Sequence, residues 1–181
     1  MNDDGGTLVR RSLTRWFWVA GVIGSVHGAW SVYWALGGTW MLASVGQWAL
    51  EAAADPSPAA TAGLWGVALV KFIAAWVPLF AHRGLLPLPG LWRVLTWAGA
   101  VGLALYGSAN VVVSGAVLVG WLTPEGPITT EAHLGHALLW GPLFALWGLA
   151  LLVGLWRSVG LWRSLLPPGP PAQVSAPGNP A

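Results

Sequence analysis

The chain has 181 residues, of which 56% are hydrophobic and only 8% charged, and its formal net charge is +2. Soluble domains carry about 25% charged residues, so this composition indicates a protein whose solvent is lipid. No basic run is longer than Arg10-Arg11, which argues against a nucleic-acid partner, and the absence of cysteine excludes disulfides, thiolate metal sites and redox dithiols.

Four apolar segments follow one another along the chain. The first, at about 16–38, is longer than the roughly 7–15-residue core of a cleaved signal peptide, so we expect a retained membrane span. The segment 41–54 has the character of a short helix at the membrane surface, with Trp40 and Trp48 at headgroup level. Further spans are expected at about 62–81, 94–121 and 132–156.

The predicted fold class is therefore an all-α membrane protein, a bundle of four transmembrane helices within residues 16–157. A short N-terminal tail, 1–15, precedes the bundle. A Pro-rich tail, 158–181, follows it and is expected to be disordered.

Charged residues are sorted between the loops. Arginines lie before the first span, between the second and third, and after the fourth, whereas the two other loops hold carboxylates and no Lys or Arg. The positive-inside rule then predicts that both termini are cytoplasmic. The preference for Arg over Lys, with abundant Ala, Gly, Pro and Trp, is typical of a GC-rich bacterial gene, so the expected location is a bacterial plasma membrane. The arginines are Arg10, Arg11, Arg15, Arg83, Arg93, Arg157 and Arg163, and the carboxylates are Glu51, Asp55, Glu125 and Glu131.

Lys71 is the one charged residue expected inside a span. It lies near the middle of the second span, where a lysine costs about 2.5–3.5 kcal/mol unless it snorkels, pairs or deprotonates. No Asp or Glu falls inside any predicted span, so a buried ion pair is not available. Either the amine is hydrogen-bonded within the bundle interior, or it binds an anionic or carbonyl-bearing ligand or moves protons.

His27 lies on a helix face that also carries a hydroxyl and two indoles, because the spacing is i, i+3, i+4, i+7. The opposite side carries small residues every four positions, a pattern that lets another helix approach closely. The polar face is His27, Trp30, Ser31 and Trp34, and the small-residue face is Ala20, Gly24 and Gly28. On the third span, Gly99 and Gly102 are expected to pack the bundle in the same way.

Polar residues on the third and fourth spans are expected to complete one pocket that opens away from the cytoplasm. Tyr106, Asn110 and Ser114 follow i, i+4, i+8 spacing, and His136 shares a face with Trp140. The candidate ligand-binding residues are His27, Trp30, Ser31, Tyr33, Trp34, Lys71, Tyr106, Asn110, Ser114, His136 and Trp140.

No cofactor and no metal is predicted. His27 and His136 differ in depth by about 10 Å, which is poor for two axial ligands of one haem. Glu131, His133 and His136 are a weak metal set and fit better as a solvated helix start. No G-x-S-x-G, P-loop or H-E-x-x-H motif occurs, so no catalytic residue is assigned.

The first span carries the pattern His27-x-x-Trp30-Ser31-x-Tyr33-Trp34-Ala35-x-Gly37-Gly38-x-Trp40. This pattern resembles the first-span signature of domain-of-unknown-function family 3995, small four-span integral membrane proteins of bacteria. The lysine in span two, the Asn in span three and the histidine-bearing span four with Trp140-Gly141-Pro142 agree with it. The resemblance extends over about 16–156 and implies a fold and a location but no activity.

The leading functional interpretation is a membrane protein that binds a small ligand or lipid in a polar intramembrane pocket, or an accessory subunit of a larger complex. One alternative is a membrane-embedded enzyme for a lipid or isoprenoid-like substrate, with His27, Tyr33 and Lys71 as acid–base groups. Another is a transporter of a small solute or proton that works as a homo-oligomer. The predicted partners are the lipid bilayer and, in some of these cases, further membrane subunits.

Overall fold

The computed structural model describes residues 4–55, 57–123 and 128–165, with side chains from 14 to 159 within those ranges. All regular structure in these residues is helical, which confirms the predicted all-α class. The elements are α1 (Asp4–Ala35), a 3-10 turn (Leu42–Ser44), α2 (Gln47–Ala54), α3 (Pro58–His82), α4 (Pro89–Leu118), α5 (Thr130–Gly135), a π-helical turn (His136–Trp140) and α6 (Gly141–Leu165).

Three helices in the described part of the chain are long and apolar enough to cross a membrane. They are α3, α4 and the continuous helix Thr130–Val159, which joins α5, the π-helical turn and α6. The second half of α1 coincides with the first predicted span and carries the polar side chains Ser25, His27 and Ser31.

Two helices end a few residues before the predicted limits of their spans because a glycine stops each one. Gly37 and Gly120 have φ values of +90° and +76°, which side chains with a Cβ rarely adopt. Each forms the hydrogen bonds of a Schellman motif, in which Gly38 N–H donates to Tyr33 O and Trp121 N–H donates to Ala116 O.

Two other helix ends lie outside the predicted membrane domain. α1 begins at Asp4, inside the expected N-terminal tail, and α6 continues to Leu165, inside the expected Pro-rich tail. The rest of the predicted tail, 166–181, and part of the predicted 123–127 loop lie outside the described residues.

The helices pack in the order α3, α1, α6, α4, and the α3–α4 pair shares fewer contacts than the α1–α3, α1–α6 and α4–α6 pairs, although a short turn joins these two helices. α4 and α6 touch backbone to backbone at Gly107, where a Cβ would lie 2.6 Å from Gly141 O and would also overlap Ala145 N. The expectation that Gly99 and Gly102 pack the bundle is wrong, because a Cβ on either would meet nothing within 4 Å. Helix spacing alone identified small residues but not which of them face a neighbour.

One end of the bundle gathers arginines around two indoles. The guanidinium carbons of Arg15 and Arg157 lie 5.8 and 5.7 Å from the ring centre of Trp16, and that of Arg83 lies 5.5 Å from Trp18. These distances are typical of cation–π contacts. At the opposite end, α2 and the start of α5 carry the carboxylates Glu51, Asp55 and Glu131. We call these the arginine end and the acidic end.

The hydrophobic core fills the half of the bundle nearer the arginine end. Its buried side chains come from α1, α3, α4 and α6, and Trp147, Phe17 and Leu79 are almost completely enclosed. The half nearer the acidic end is not filled in this way, and the candidate site lies there.

Candidate functional site

Lys71 lies in the middle of α3 and reaches across to α1. Its Nζ atom donates a hydrogen bond of 2.8 Å to Ser31 Oγ and lies 3.1 Å from His27 Nδ1. Both partners are neutral groups, and α3 and α4 contain no Asp or Glu. An ammonium has three donors, so these two contacts leave one for another acceptor.

His27 projects from α1 and packs between α3 and α6. Its ring centre lies 4.0 Å from that of Phe144 and 5.5 Å from that of Trp140, and only 4% of the residue is exposed. An ammonium at Lys71 donates to Nδ1, which leaves the imidazole proton on Nε2. That Nε2 is buried and has no hydrogen-bond partner. The site therefore contains a second donor that the described protein atoms do not satisfy.

The small-residue face of α1 allows α3 to come close enough for these contacts. A Cβ on Gly24 would lie 2.7 Å from Ala75 Cβ, and a Cβ on Gly28 would lie 3.1 Å from the Phe72 ring. Both α3 residues are within about one helical turn of Lys71. The close packing expected of this face is confirmed at Gly24 and Gly28, and it brings Lys71 within reach of α1. The expectation that the small residues lie opposite the polar ones is wrong: at about 100° per residue both glycines lie within about 100° of His27 around the helix, so the two sets face α3 together.

The π-helical turn positions His136 and Trp140. Pro142 lacks an N–H, and its ring crowds the carbonyl four residues earlier, so the regular helix is interrupted just before it. Within the widened turn, His136 Nε2 lies 3.2 Å from Val45 O. Trp140 Nε1 lies 3.0 Å from Ser44 Oγ and 3.2 Å from Ser44 O. The segment 42–54, which we call the outer segment, is thereby fastened to the helix that joins α5 and α6.

These elements enclose a cavity of about 810 Å³ that is open on one side. This volume is within the 300–1,000 Å³ typical of small-molecule sites. Its lining comes from α1 and the loop that follows it, the outer segment, α3 and the π-helical turn, while Tyr106 alone represents α4 and Phe144 alone represents α6. Of the predicted site residues, the structure brings together His27, Ser31, Trp34, Lys71, Tyr106, His136 and Trp140 in this lining.

Two further candidates lie beside the cavity without lining it. The ring centre of Trp30 lies 5.9 Å from those of Trp34 and Trp140, so it supports the aromatic wall from behind. The Tyr33 hydroxyl accepts a hydrogen bond from Trp40 N–H, where it helps to close the end of α1.

Asn110 and Ser114 are not part of the cavity wall. The Asn110 side chain donates to Tyr106 O within α4, and Ser114 is buried elsewhere. Residues at i, i+4 and i+8 drift by about 40° per step on a helix of 3.6 residues per turn. Over the eight residues from Tyr106 to Ser114 the face has turned by about 80°, away from the cavity.

Sequence reasoning missed Phe144 and the outer segment as parts of the site. Phe144 follows His136 and Trp140 at four-residue spacing, a signal that was available. The carbonyl groups of Ser44 and Val45 carry no sequence signature, because every residue has one. Among the described residues, no three His, Asp or Glu side chains come close enough to hold a metal ion.

Comparison with known proteins identifies a family but no activity. A family model described as "Protein of unknown function (DUF3995)" matches residues 24–151. No curated protein and no solved structure matches the chain. The matched region begins on the small-residue face of α1, includes Lys71 and the outer segment, and ends within α6. The model covers most of the chain, so the protein belongs to the DUF3995 family, as its first-span pattern predicted.

Proposed function

We propose that this protein is an integral membrane protein whose α1, α3, α4 and α5–α6 helices all cross the bilayer, with both termini in the cytoplasm. The separation of charge supports this topology: arginines from three different helices and turns meet at one end of the bundle, and the carboxylates lie at the other. Positive residues are retained on the cytoplasmic side of membranes. Polar groups of α1 that would be costly in lipid, His27 and Ser31, face α3 and α6.

Within this membrane domain, we propose that the cavity binds an apolar molecule with one head group that accepts hydrogen bonds, a carboxylate or a carbonyl. The observation that carries the proposal is the placement of Lys71, a cation with two neutral partners and a remaining donor, in the wall of an aromatic-lined cavity. An acceptor on the ligand would satisfy that donor. A negative head group would also neutralise the charge, which is costly in hydrocarbon.

The shape of the cavity supports a ligand that arrives from the bilayer. The α3–α4 pair shares fewer contacts than the α1–α3, α1–α6 and α4–α6 pairs, and α4 contributes only Tyr106 to the lining. Tyr106 is itself 53% exposed. A gap between these two helices would give a lipid-soluble molecule direct access to Lys71 without passage through water.

The test uses tryptophan fluorescence, because Trp34 and Trp140 line the cavity. The full chain in mild detergent is titrated with a bromine-labelled fatty acid, with a bromine-labelled long-chain ketone, and with a bromine-labelled alkane that lacks a head group. We expect saturable quenching by the acid and the ketone and only non-saturable quenching by the alkane. Lys71→Met should abolish saturation, whereas Ile73→Met, on the exposed face of the same helix, should not.

Identical quenching curves for the acid and the alkane would refute the binding proposal. The same conclusion would follow if Lys71→Met bound the acid as tightly as the original protein. Native mass spectrometry of the purified protein then identifies any molecule that leaves the cavity on denaturation.

A second candidate function is a membrane-embedded enzyme that acts on such a molecule. The observation in its favour is the 3.1 Å distance between Lys71 Nζ and His27 Nδ1, which is within the reach that acid–base catalysis requires. The binding experiment separates the two functions when the acid and ketone are recovered and analysed by mass. Unchanged probes after prolonged incubation support binding alone, and conversion that His27→Gln abolishes supports catalysis.

A further inference from the structure

A second cavity lies at the arginine end of the bundle, far from Lys71. It has a volume of about 440 Å³ and is bounded by α1, α3, α4 and α6. Its lining is Phe17, Pro78, Ala81, His82, Pro89, Gly90, Arg93, Thr96, Leu155 and Ser158. The α3 side of the wall is apolar except for the His82 imidazole, which stacks on Phe17, and the α4 and α6 sides carry a cation and two hydroxyl groups.

Arg93 supplies the cation and is half-buried in this wall. No Asp or Glu occurs between residues 56 and 124, and the carboxylates of Glu51, Asp55 and Glu131 belong to the opposite end of the bundle. Among residues 14–159, whose side chains the structure describes, no carboxylate lies at the same end of the bundle as this guanidinium. Three other arginines gather at this end, which makes the local potential positive.

Two buried hydroxyl groups line the same cavity. Thr96 is 8% exposed and Ser158 is 4% exposed, and each donates to a carbonyl of its own helix, Trp92 O and Leu155 O respectively. A hydroxyl can rotate away from such a bond and donate to a phosphate oxygen instead. The α4 helix also begins here, at Pro89, without a side-chain cap, so its positive end faces the same region.

We propose that this cavity binds the phosphate of an anionic membrane lipid, with the Arg93 guanidinium as the principal ligand and the Thr96 and Ser158 hydroxyls as further donors. Arginine matches phosphate oxygens with two parallel hydrogen bonds. Basic pockets between transmembrane helices on the cytoplasmic side are suited to lipid head groups. The apolar part of the wall, which includes Pro78 and Leu155, accommodates the start of the acyl chains and favours a lipid over free phosphate.

The test is native mass spectrometry of the full chain in detergent, titrated with phosphatidylglycerol and, separately, with zwitterionic phosphatidylcholine. We expect preferential binding of phosphatidylglycerol. Arg93→Gln should weaken that binding about ten-fold, the size expected for loss of hydrogen bonds to a charged group. Arg157→Gln is the matched control, because Arg157 is at the same end of the bundle but lies over Trp16 and not in the cavity. It should weaken binding about two-fold at most.

Two further variants separate a site from a general effect of charge. Arg93→Lys keeps the charge but loses the planar fork of donors, so its affinity should fall between those of the original protein and Arg93→Gln. Thr96→Val should weaken binding and Thr96→Ser should restore it, while the melting temperature shows that each variant is folded.

Equal losses for Arg93→Gln and Arg157→Gln would overturn the proposal, because they would indicate a diffuse surface potential. Displacement of phosphatidylglycerol by inorganic phosphate at an equal concentration would also overturn it, since the site would then recognise the free ion. Persistence of binding in that competition supports a lipid as the ligand.

Discussion

The Nζ atom of Lys71 lies 3.1 Å from Nδ1 of His27, although the two residues are 44 positions apart and on different helices. Most buried lysines are neutralised by a carboxylate, but here the two protein partners are an imidazole and the Ser31 hydroxyl. Such an arrangement holds the amine in place without neutralising it. We infer that the arrangement is retained for binding and that it lowers the stability of the protein.

Lys71→Met should therefore stabilise the protein. The substitution removes an insertion penalty of about 2.5–3.5 kcal/mol for a lysine at the bilayer centre. It also removes two interhelical hydrogen bonds, which are worth about 0.6 kcal/mol each in a membrane protein. The free energy of unfolding should rise by about 1–2 kcal/mol, measured by denaturation with sodium dodecyl sulfate in mixed micelles.

Ile73→Met is the control for this measurement, since Ile73 is exposed on the same helix and its stability effect should be within about 0.5 kcal/mol. A clear loss of stability in Lys71→Met would contradict the argument. It would mean that Lys71 is a structural residue that holds α1 and α3 together.

The close contact between α4 and α6 makes a second prediction. Gly107→Ala should destabilise the protein by about 1–3 kcal/mol, because the new Cβ would overlap the backbone of Ala145 and Gly141 and the helices must separate. Gly102→Ala on the same helix meets nothing within 4 Å and should be neutral or stabilising by up to about 1 kcal/mol. Circular dichroism melting of the two variants in one detergent measures the difference, and equal melting temperatures would contradict the packing.

The sequence was sufficient to predict the helical class and to single out Lys71 and His27, which the structure places in the lining of one cavity. Helical periodicity and apolar length depend only on local sequence, and a lysine among apolar residues is conspicuous. The similar depth of His27 and Lys71 in their helices suggested that the two residues meet. The distance between them could not be predicted, because it depends on the close approach of α1 and α3 at Gly24 and Gly28.

The sequence could not predict how each helix is rotated about its own axis, and therefore which of its residues face a neighbouring helix. Gly102 and Gly107 are both glycines of α4, yet only Gly107 faces another helix. The π-helical turn adds a second difficulty, because it shifts the register of every later residue in that span.

The proposed topology can be tested directly because the chain contains no cysteine. Two positions are each replaced by cysteine in separate variants, Asp55→Cys and Leu85→Cys. Asp55 is at the acidic end, and Leu85 is in the exposed turn between α3 and α4. In intact cells of a bacterial expression host, a membrane-impermeant maleimide should label Asp55→Cys and should label Leu85→Cys only after the membrane is broken. Labelling of Leu85→Cys in intact cells, with protection of Asp55→Cys, would reverse the proposed orientation.

The attachment of the outer segment to the π-helical turn should control access to the cavity from the acidic end. Trp140→Phe keeps an aromatic ring beside His27 but removes the N–H that bonds to Ser44. A lost hydrogen bond of about 1 kcal/mol corresponds to about a five-fold increase in opening of the segment. Hydrogen exchange of the amides in 42–54 should accelerate by that factor, while amides in the middle of α3 exchange as before.

Trp65→Phe, on the exposed side of α3, is the control and should leave the segment unchanged. Unaltered exchange in Trp140→Phe would show that the contacts of the buried Leu42 and Ala49 hold the segment without help from the indole.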